Sequence, residues 1–112
     1  MPRTKKPIDV PAMIQRMVQR IVKKFRPEKI ILFGSQARGD AGPDSDVDLL
    51  VVMPVEGSVT EKRLEISLVL PDLPIHVDVI VTTPENFAWR KDIVGTIEWP
   101  ATREGKVLYA RP

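Results

Sequence analysis

Two short apolar runs, separated by a polar loop, most constrain how this chain can fold. The first covers Lys29–Phe33 and is followed at once by a Gly-Ser dipeptide, and the second covers Val47–Met53. Both runs contain β-branched residues and lack helical spacing, so we predict two strands, the first of them buried on both faces. Asp46 and Asp48 stand at the entrance of the second run, where carboxylates are costly unless a positive group meets them. We therefore expect a cation beside them.

Helical patterns alternate with these strands along the chain. The spacing of apolar residues, a capping-box motif and prolines in first turns each mark a helix. These helices are predicted over residues 9–25, 59–70 and 84–94, with a brief helical turn over residues 35–39. In the helix over residues 59–70 we expect Leu64 and Leu68 to form the face that packs against the core.

A third strand is predicted over residues 75–81, and a short last strand over residues 106–109. The third strand alternates, so that Asp78 lies on the opposite face from the apolar residues beside it. Strands interleaved with helices predict an α/β fold, with a small mixed β-sheet and helices packed mainly on one face. We expect one domain over residues 9–112, preceded by a basic flexible tail over residues 1–8.

The composition excludes several classes of protein and of site. The 112 residues are 43% hydrophobic and 29% charged, which is typical of a soluble globular protein. With no cysteine and a single histidine, His76, the chain can hold a metal mainly through oxygen ligands, which favours magnesium, or else manganese. No apolar run approaches the roughly 20 residues of a transmembrane helix and no signal peptide is evident, so we expect a cytoplasmic protein without membrane contact. The net charge of +2 is too small to indicate nucleic-acid binding, and we expect none.

Three aspartates can form a metal site on one face of the sheet. Alternation along a strand places Asp46 and Asp48 on the same face, and Asp78 joins them if the second and third strands pair. Like charges so close together repel unless a divalent cation binds between them. Magnesium held by such carboxylates usually adds water and phosphate oxygens to its ligands. We therefore predict these three side chains as ligands of a hard metal.

The loop after the first strand can bind phosphate. Gly34 lets the backbone approach a ligand closely, and the following N–H groups and the Ser35 hydroxyl can then point at it. Arg38, three residues further on, adds a permanent, forked positive charge. The loop and the aspartates would thus bracket a nucleoside triphosphate with its metals.

One pattern in the chain resembles the signature of the DNA polymerase beta-like nucleotidyltransferase superfamily. It consists of Gly34-Ser35, then ten residues, then Asp46-x-Asp48. The stretch from Gly34 to Gly39 is similar to that of its minimal nucleotidyltransferase branch. The similarity covers most of the chain and includes two further features, the acidic third strand with Asp78 and the segment over residues 103–109.

The resemblance implies the polymerase beta-like nucleotidyltransferase fold and a transfer reaction. A nucleoside monophosphate, usually AMP from ATP, would move to a hydroxyl with release of pyrophosphate. Asp46 and Asp48 would hold two magnesium ions, and Asp78 would bind the metal nearest the acceptor and help to deprotonate the hydroxyl. Gly34 and Ser35 would hold the β- and γ-phosphates.

The resemblance also implies a partner. Larger members of the superfamily carry a second domain that binds the acceptor, for which this sequence has no room. We therefore expect the acceptor to lie on a partner protein or on a second copy of the chain. In the minimal branch the usual partner is an all-helical HEPN-domain protein, a toxin of the ribonuclease type, which the nucleotidyltransferase neutralises by adenylating it.

Three other functions stay open at the level of the sequence. A non-enzymatic antitoxin would neutralise its partner by contact alone, in which case Asp48→Asn would leave neutralisation intact. A small-molecule nucleotidyltransferase would modify a small hydroxyl compound, with a homodimer building the pocket. A basic nucleic-acid-binding module is disfavoured because positive and negative charges are mixed along every helix.

Overall fold

The computed structural model describes residues 9–42, 45–70, 72 and 74–112. Within these ranges the chain forms five helices and four strands. In chain order they are α1 (Val10–Phe25), β1 (Lys29–Phe33), α2 (Ser35–Arg38), β2 (Val47–Val52), α3 (Val59–Val69), β3 (Val77–Thr82), α4 (Pro84–Arg90), α5 (Glu98–Glu104) and β4 (Lys106–Ala110). The tail expected over residues 1–8 lies outside the described residues.

The four strands form one mixed sheet in the order β3-β2-β1-β4. β1 pairs antiparallel with both β2 and β4, whereas β2 pairs parallel with β3. A parallel pair needs a crossover connection, and α3 supplies it between β2 and β3. In this sheet β3 is therefore an edge strand, with one side open.

The longest helix, α1, covers one face of the sheet. Asp9 begins it by accepting a hydrogen bond from the Ala12 N–H at 3.1 Å, which satisfies one of the amides that have no partner within the helix. Met17 and Ile21 are fully buried, as the spacing of apolar residues predicts.

The larger core lies between α1, α3 and this face of the sheet. Leu49 and Val51 of β2, Val79 of β3 and Ile66 of α3 belong to it and are at most 1% exposed. Because neighbouring residues of a strand point to opposite faces, Asp48 lies on the other face of β2.

A smaller apolar cluster covers that other face. It consists of Ile31 of β1, Leu50 of β2 and Ala101 of α5, with three partly buried residues packed against it: Phe33, Ile80 and Phe87. β1 is therefore buried on both faces, as predicted. The α/β class with a small mixed sheet is confirmed: the two long helices pack on one face and the short helices α4 and α5 contribute to the other. No helix in the described part of the chain is both long and apolar enough to cross a membrane.

The predicted apolar face of α3 is wrong. Leu64 and Leu68 are 61% and 85% exposed, and Ile66 is the residue that enters the core. Lys62 lies on the same side as Ile66, with its ammonium 5.6 Å from the centre of the Phe25 ring. The helix thus buries a stripe that contains a lysine stem, which apolar spacing alone does not reveal.

The end of the chain also differs from the prediction. α4 ends at Arg90 instead of reaching about Val94, and the helix α5 was not predicted. The Thr96 hydroxyl accepts a hydrogen bond from the Trp99 N–H at 3.1 Å and so helps to begin α5. Pro100 in the first turn of α5 is a sequence signal for a helix start.

Candidate active site

Three carboxylates, those of Asp46, Asp48 and Asp78, form what we call the acidic face, and Asp48 lies at its centre. It is the second residue of β2, and its neighbours across the sheet are Phe33 of β1 and Asp78 of β3. Asp48 and Asp78 are aligned in the parallel register, so their side chains stand side by side on the same face. The sequence predicted this pairing only on the condition that β2 and β3 are neighbours, and they are.

Gly34 brings the loop backbone against this carboxylate. It is the residue before α2, with φ 75° and ψ −159°, a left-handed conformation that favours glycine. A Cβ atom at this position would lie 3.3 Å from Cγ of Asp48 and would overlap its Oδ2 atom. The position therefore requires glycine for two reasons, its backbone conformation and the carboxylate in contact with it.

The short helix α2 carries the rest of the predicted phosphate loop. Ser35 is its first residue and is partly buried, and its N–H points out of the start of the helix because the first turn has no internal acceptor. Gln36 donates from its side-chain amide to the Ser45 carbonyl at 3.4 Å and so links α2 to the residue before Asp46. Asp46 itself is exposed and directly precedes β2.

The charges of Asp46 and Asp78 act on the carboxyl of Asp48. Burial raises the pKa of the Asp48 carboxyl, and the negative charges of Asp78 and Asp46 raise it further. His76 and Arg38 act in the opposite direction, with smaller effects on the pKa of Asp48. A group in these surroundings gains from a cation that binds next to it.

Arg38 lies near the carboxylates but contacts other partners. Its Nε is 3.3 Å from Oδ2 of Asp40, and its Nη1 is 3.5 Å from Oε2 of Glu104. These contacts raise the pKa of Arg38, with the hydrogen bond to Asp40 as the largest cause. The guanidinium is exposed, and its Nε and Nη1 atoms face these two carboxylates.

Asp78 has a cationic partner that the sequence analysis missed. Arg63 of α3 donates a hydrogen bond from Nη2 to Oδ1 of Asp78 at 2.5 Å. No sequence signal points to this contact, because the two residues are 15 positions apart and Arg63 lies on an exposed part of its helix. Gln36 was missed as well, since its role depends on the path of the loop.

The donor set fits a hard divalent metal by its chemistry. The carboxylates of Asp46, Asp48 and Asp78 lie at the same end of two paired strands. The charges of Asp78 and Asp46 both raise the pKa of Asp48. As the side chains stand, no group of three His, Cys, Asp or Glu residues in the described ranges converges on one point that could hold a metal ion. Asp78 is paired with Arg63 in this arrangement.

Comparison with known proteins gives this site its context. A family model described as "Nucleotidyltransferase domain" matches residues 14–100, which span both the glycine loop and all three aspartates. The chain belongs to this nucleotidyltransferase family.

One curated relative of this nucleotidyltransferase comes from Methanocaldococcus jannaschii and carries the name "Putative protein adenylyltransferase MJ0604". It is 34% identical over 98 residues, which cover 86% of this chain and 94% of the relative. The match therefore includes nearly the whole of the relative.

Solved structures share the fold. A "putative nucleotidyltransferase" from Sulfolobus solfataricus superposes with a TM-score of 0.64 and 25% identity, over 89% of this chain and 79% of that one. A structure described as a "toxin-antitoxin with AMP-PNP" superposes with a TM-score of 0.55 and 17% identity, over 87% of this chain and 73% of that one. The first supports the same family, and the second shows the same fold.

Proposed function

We propose that this nucleotidyltransferase is a magnesium-dependent adenylyltransferase that moves AMP from ATP to a hydroxyl on a partner protein. The observation that carries the proposal is the alignment of Asp48 with Asp78, directly beside Gly34. This arrangement puts carboxylates for a metal next to a backbone that can approach a phosphate. The name of the archaeal relative supports protein as the acceptor.

The carboxylates would hold the metal. Asp46 and Asp48 would bind two magnesium ions, and Asp78 would bind the one nearer the acceptor, with manganese as the alternative cation. Bound there, the cations would supply charge stabilisation at the phosphates and at the attacking oxygen. The proton transfer and the positioning of the phosphates would be carried out by the chain's own residues, and the bond changes take place on the two substrates.

The transfer is an in-line displacement at the α-phosphorus of ATP. The acceptor oxygen forms a new bond to this phosphorus while the bond to the bridging oxygen breaks, and pyrophosphate leaves with that electron pair. The proton of the hydroxyl passes to the carboxylate of Asp78. Gly34 and Ser35 hold the β- and γ-phosphates through backbone N–H groups and the serine hydroxyl, and Arg38 can add a positive charge. Positioning and electrostatics suffice, so no covalent protein intermediate is needed.

The partner we propose is a HEPN-domain toxin that AMP transfer neutralises. The resemblance to the minimal nucleotidyltransferase branch supports this choice, and the fold shared with a toxin-antitoxin structure agrees with it. A second copy of this chain is the alternative source of an acceptor. Because ATP is supplied in the cytoplasm, the proposed reaction places the protein there.

The direct test is transfer of label from ATP labelled at the α-phosphate. The purified chain is incubated with magnesium, labelled ATP and a lysate of the host, and proteins that acquire label are identified. We expect one discrete labelled protein with the wild type and none with Asp48→Asn. Asp92→Asn is the matched control, because Asp92 is an exposed aspartate whose ion pairs are with Lys91 and Arg103.

Each outcome decides between the alternatives. Label on one protein, lost in Asp48→Asn and retained in Asp92→Asn, supports protein adenylylation. Label on small molecules alone would favour small-molecule transfer. If Asp48→Asn still neutralises a toxin in cells, the chain acts by contact and the proposed chemistry is wrong.

A further inference from the structure

Arg63 and Asp78 form the one ion pair that involves a carboxylate of the acidic face, among the residues that the structure describes. The distance from Nη2 of Arg63 to Oδ1 of Asp78 is 2.5 Å. The side chains are 50% and 35% exposed, so the pair is accessible to water and to ions. Asp48 has no such partner in the described residues, although burial and neighbouring charges raise its pKa.

The position of the pair follows from the sheet order. Arg63 belongs to α3, which packs on the face opposite to the carboxylates, because Ile66 of the same helix lies in the larger core. β3 is an edge strand, so no further strand among the described residues lies beside Asp78 to block the approach. A long arginine side chain can therefore pass around the open edge and reach the acidic face.

The contact uses the same oxygen atoms that a metal would need. An arginine that donates to a carboxylate and a divalent cation that binds it compete, because each places positive charge against the same lone pairs. Arg63 has Asp78 as its single ion-pair partner within the described ranges, so the pair is not part of a larger network that would hold it in place.

We propose that Arg63 is a built-in counter-ion for Asp78, which a divalent metal must displace before Asp78 can bind it. Arg63 is thus a positioning residue that lowers the affinity of the acidic face for metal and keeps Asp78 paired until the metal arrives. The inference deepens the proposed function and rests on its metal site.

The test measures metal affinity without any turnover. Mn²⁺ is titrated into the full chain without nucleotide, and free Mn²⁺ is followed by its electron paramagnetic resonance signal. Since exposed ion pairs are weak, we expect Arg63→Gln to lower the Mn²⁺ dissociation constant by about twofold to fivefold. Arg63→Lys keeps the charge but loses the forked geometry, and its dissociation constant should lie between those of the wild type and Arg63→Gln.

Lys62→Gln is the matched control. It removes one positive charge from the adjacent position of α3, where the lysine pairs with Glu65 at 3.0 Å instead of with an aspartate of the site. A general change in charge would affect both variants equally, whereas competition at Asp78 affects Arg63→Gln alone. Circular dichroism spectra of both variants check that the fold is retained.

Failure of this inference and failure of the proposed function give different results. If Asp48→Asn abolishes Mn²⁺ binding but Arg63→Gln behaves like Lys62→Gln or binds Mn²⁺ more weakly than the wild type, the counter-ion role is wrong and the metal site stands. If the wild type binds no Mn²⁺, or if Asp48→Asn binds it as well as the wild type does, the metal site itself is wrong. The role proposed for Arg63 is then wrong as well.

Discussion

Asp48 combines a function in the site with a cost to the fold. Its pKa is raised above the ordinary aspartate value of about 3.9 by burial and by Asp78 and Asp46. A carboxyl with a raised pKa favours the folded state when it is protonated. The favourable contribution is present below the unfolded pKa and is lost as the pH rises through the folded pKa. At neutral pH, in the absence of metal, the ionised Asp48 therefore destabilises the protein.

Asp48→Asn should accordingly make the metal-free protein more stable at pH 7 while it removes transferase activity. We expect a rise of a few degrees in melting temperature at pH 7, and a difference from the wild type that shrinks as the pH falls through the raised pKa of Asp48 and is lost below about 4. Thermal unfolding of both proteins in chelator, between pH 3 and pH 8, measures this. A difference in melting temperature between the two proteins that does not change with pH would contradict the assignment of the effect to ionisation of Asp48.

Gly34→Ala tests the close approach between the loop and the carboxylate. The new methyl group would overlap Oδ2 of Asp48 in a backbone conformation that alanine rarely adopts. We expect at least a hundredfold loss of AMP transfer, since misplacement of a catalytic group by about 1 Å can cost that much. The measurement is the rate of label transfer to the acceptor.

Gly57→Ala is the control for backbone strain. Gly57 also has a positive φ, of 90°, but nothing lies within 4 Å of the place where its Cβ would be. Similar losses of activity in both variants would show that the contact with Asp48 is not what requires glycine at position 34.

Among the individual residues, the sequence located the carboxylates and the glycine but not their partners. Strand alternation, which depends on local sequence alone, puts Asp48 and Asp78 on the face opposite to the larger core, but their alignment also needs the pairing of β2 with β3. The contact from Arg63 to Asp78 depends on how far α3 lies from the edge of the sheet. Such a distance is a property of tertiary packing, and no local pattern encodes it.

At the level of the secondary-structure elements, the junction between α5 and β4 fixes the short helices to the sheet. Gly105 occupies this junction, where a Cβ would lie 2.6 Å from Cγ2 of Ile31 and 2.9 Å from the Leu32 carbonyl and would overlap the Ala101 carbonyl. Two of these three contacts are with backbone atoms, which cannot rotate away. The position therefore has no room for a side chain.

Gly105→Ala should destabilise the fold by about 1 to 3 kcal/mol, as is typical of overpacking. Chemical unfolding in urea measures the change. Gly42→Ala is the control, since the nearest atom to a Cβ there is Oγ of Ser45 at an ordinary 3.8 Å. Equal stability of the two variants would mean that α5 can move away from β1 at little cost.

The elements themselves were predictable to different degrees. The strands and α1 were found because each has a long or strongly apolar pattern. In α3, the pair Leu64 and Leu68 has helical spacing, and so do Lys62 and Ile66, so the sequence offers two stripes and tertiary packing selects the second. The helix α5 was missed because it is only seven residues long and carries few apolar residues.

For the molecule as a whole, binding of metal and nucleotide should stabilise the native state. A ligand that binds only the folded chain stabilises it by about 2.7 kcal/mol at about 100 times its dissociation constant. We expect magnesium and a non-hydrolysable ATP analogue together to raise the melting temperature of the wild type, and neither alone to do so fully. Asp48→Asn should show little of this rise, whereas a full rise in that variant would exclude Asp48 as a ligand.

The overall fold was the most predictable level, because strands and helices that alternate along a short chain leave few possible arrangements. Parallel strands need a crossover connection, and α3 is long enough to form one between β2 and β3. The resulting parallel pairing aligns Asp48 with Asp78. The expectation of a single domain over residues 9–112 stays a prediction, as do the metal, the nucleotide and the partner.

The most direct measurement is a crystal structure of the chain with Mn²⁺ and an ATP analogue that cannot be cleaved between the α- and β-phosphates. Anomalous scattering from manganese locates the metal independently of any assumption about its ligands. We predict manganese peaks against the carboxylates of Asp46 and Asp48, and the β- and γ-phosphates against the backbone of Gly34 and Ser35. Metal or triphosphate bound away from this face, or an acidic face without metal under saturating conditions, would contradict the account.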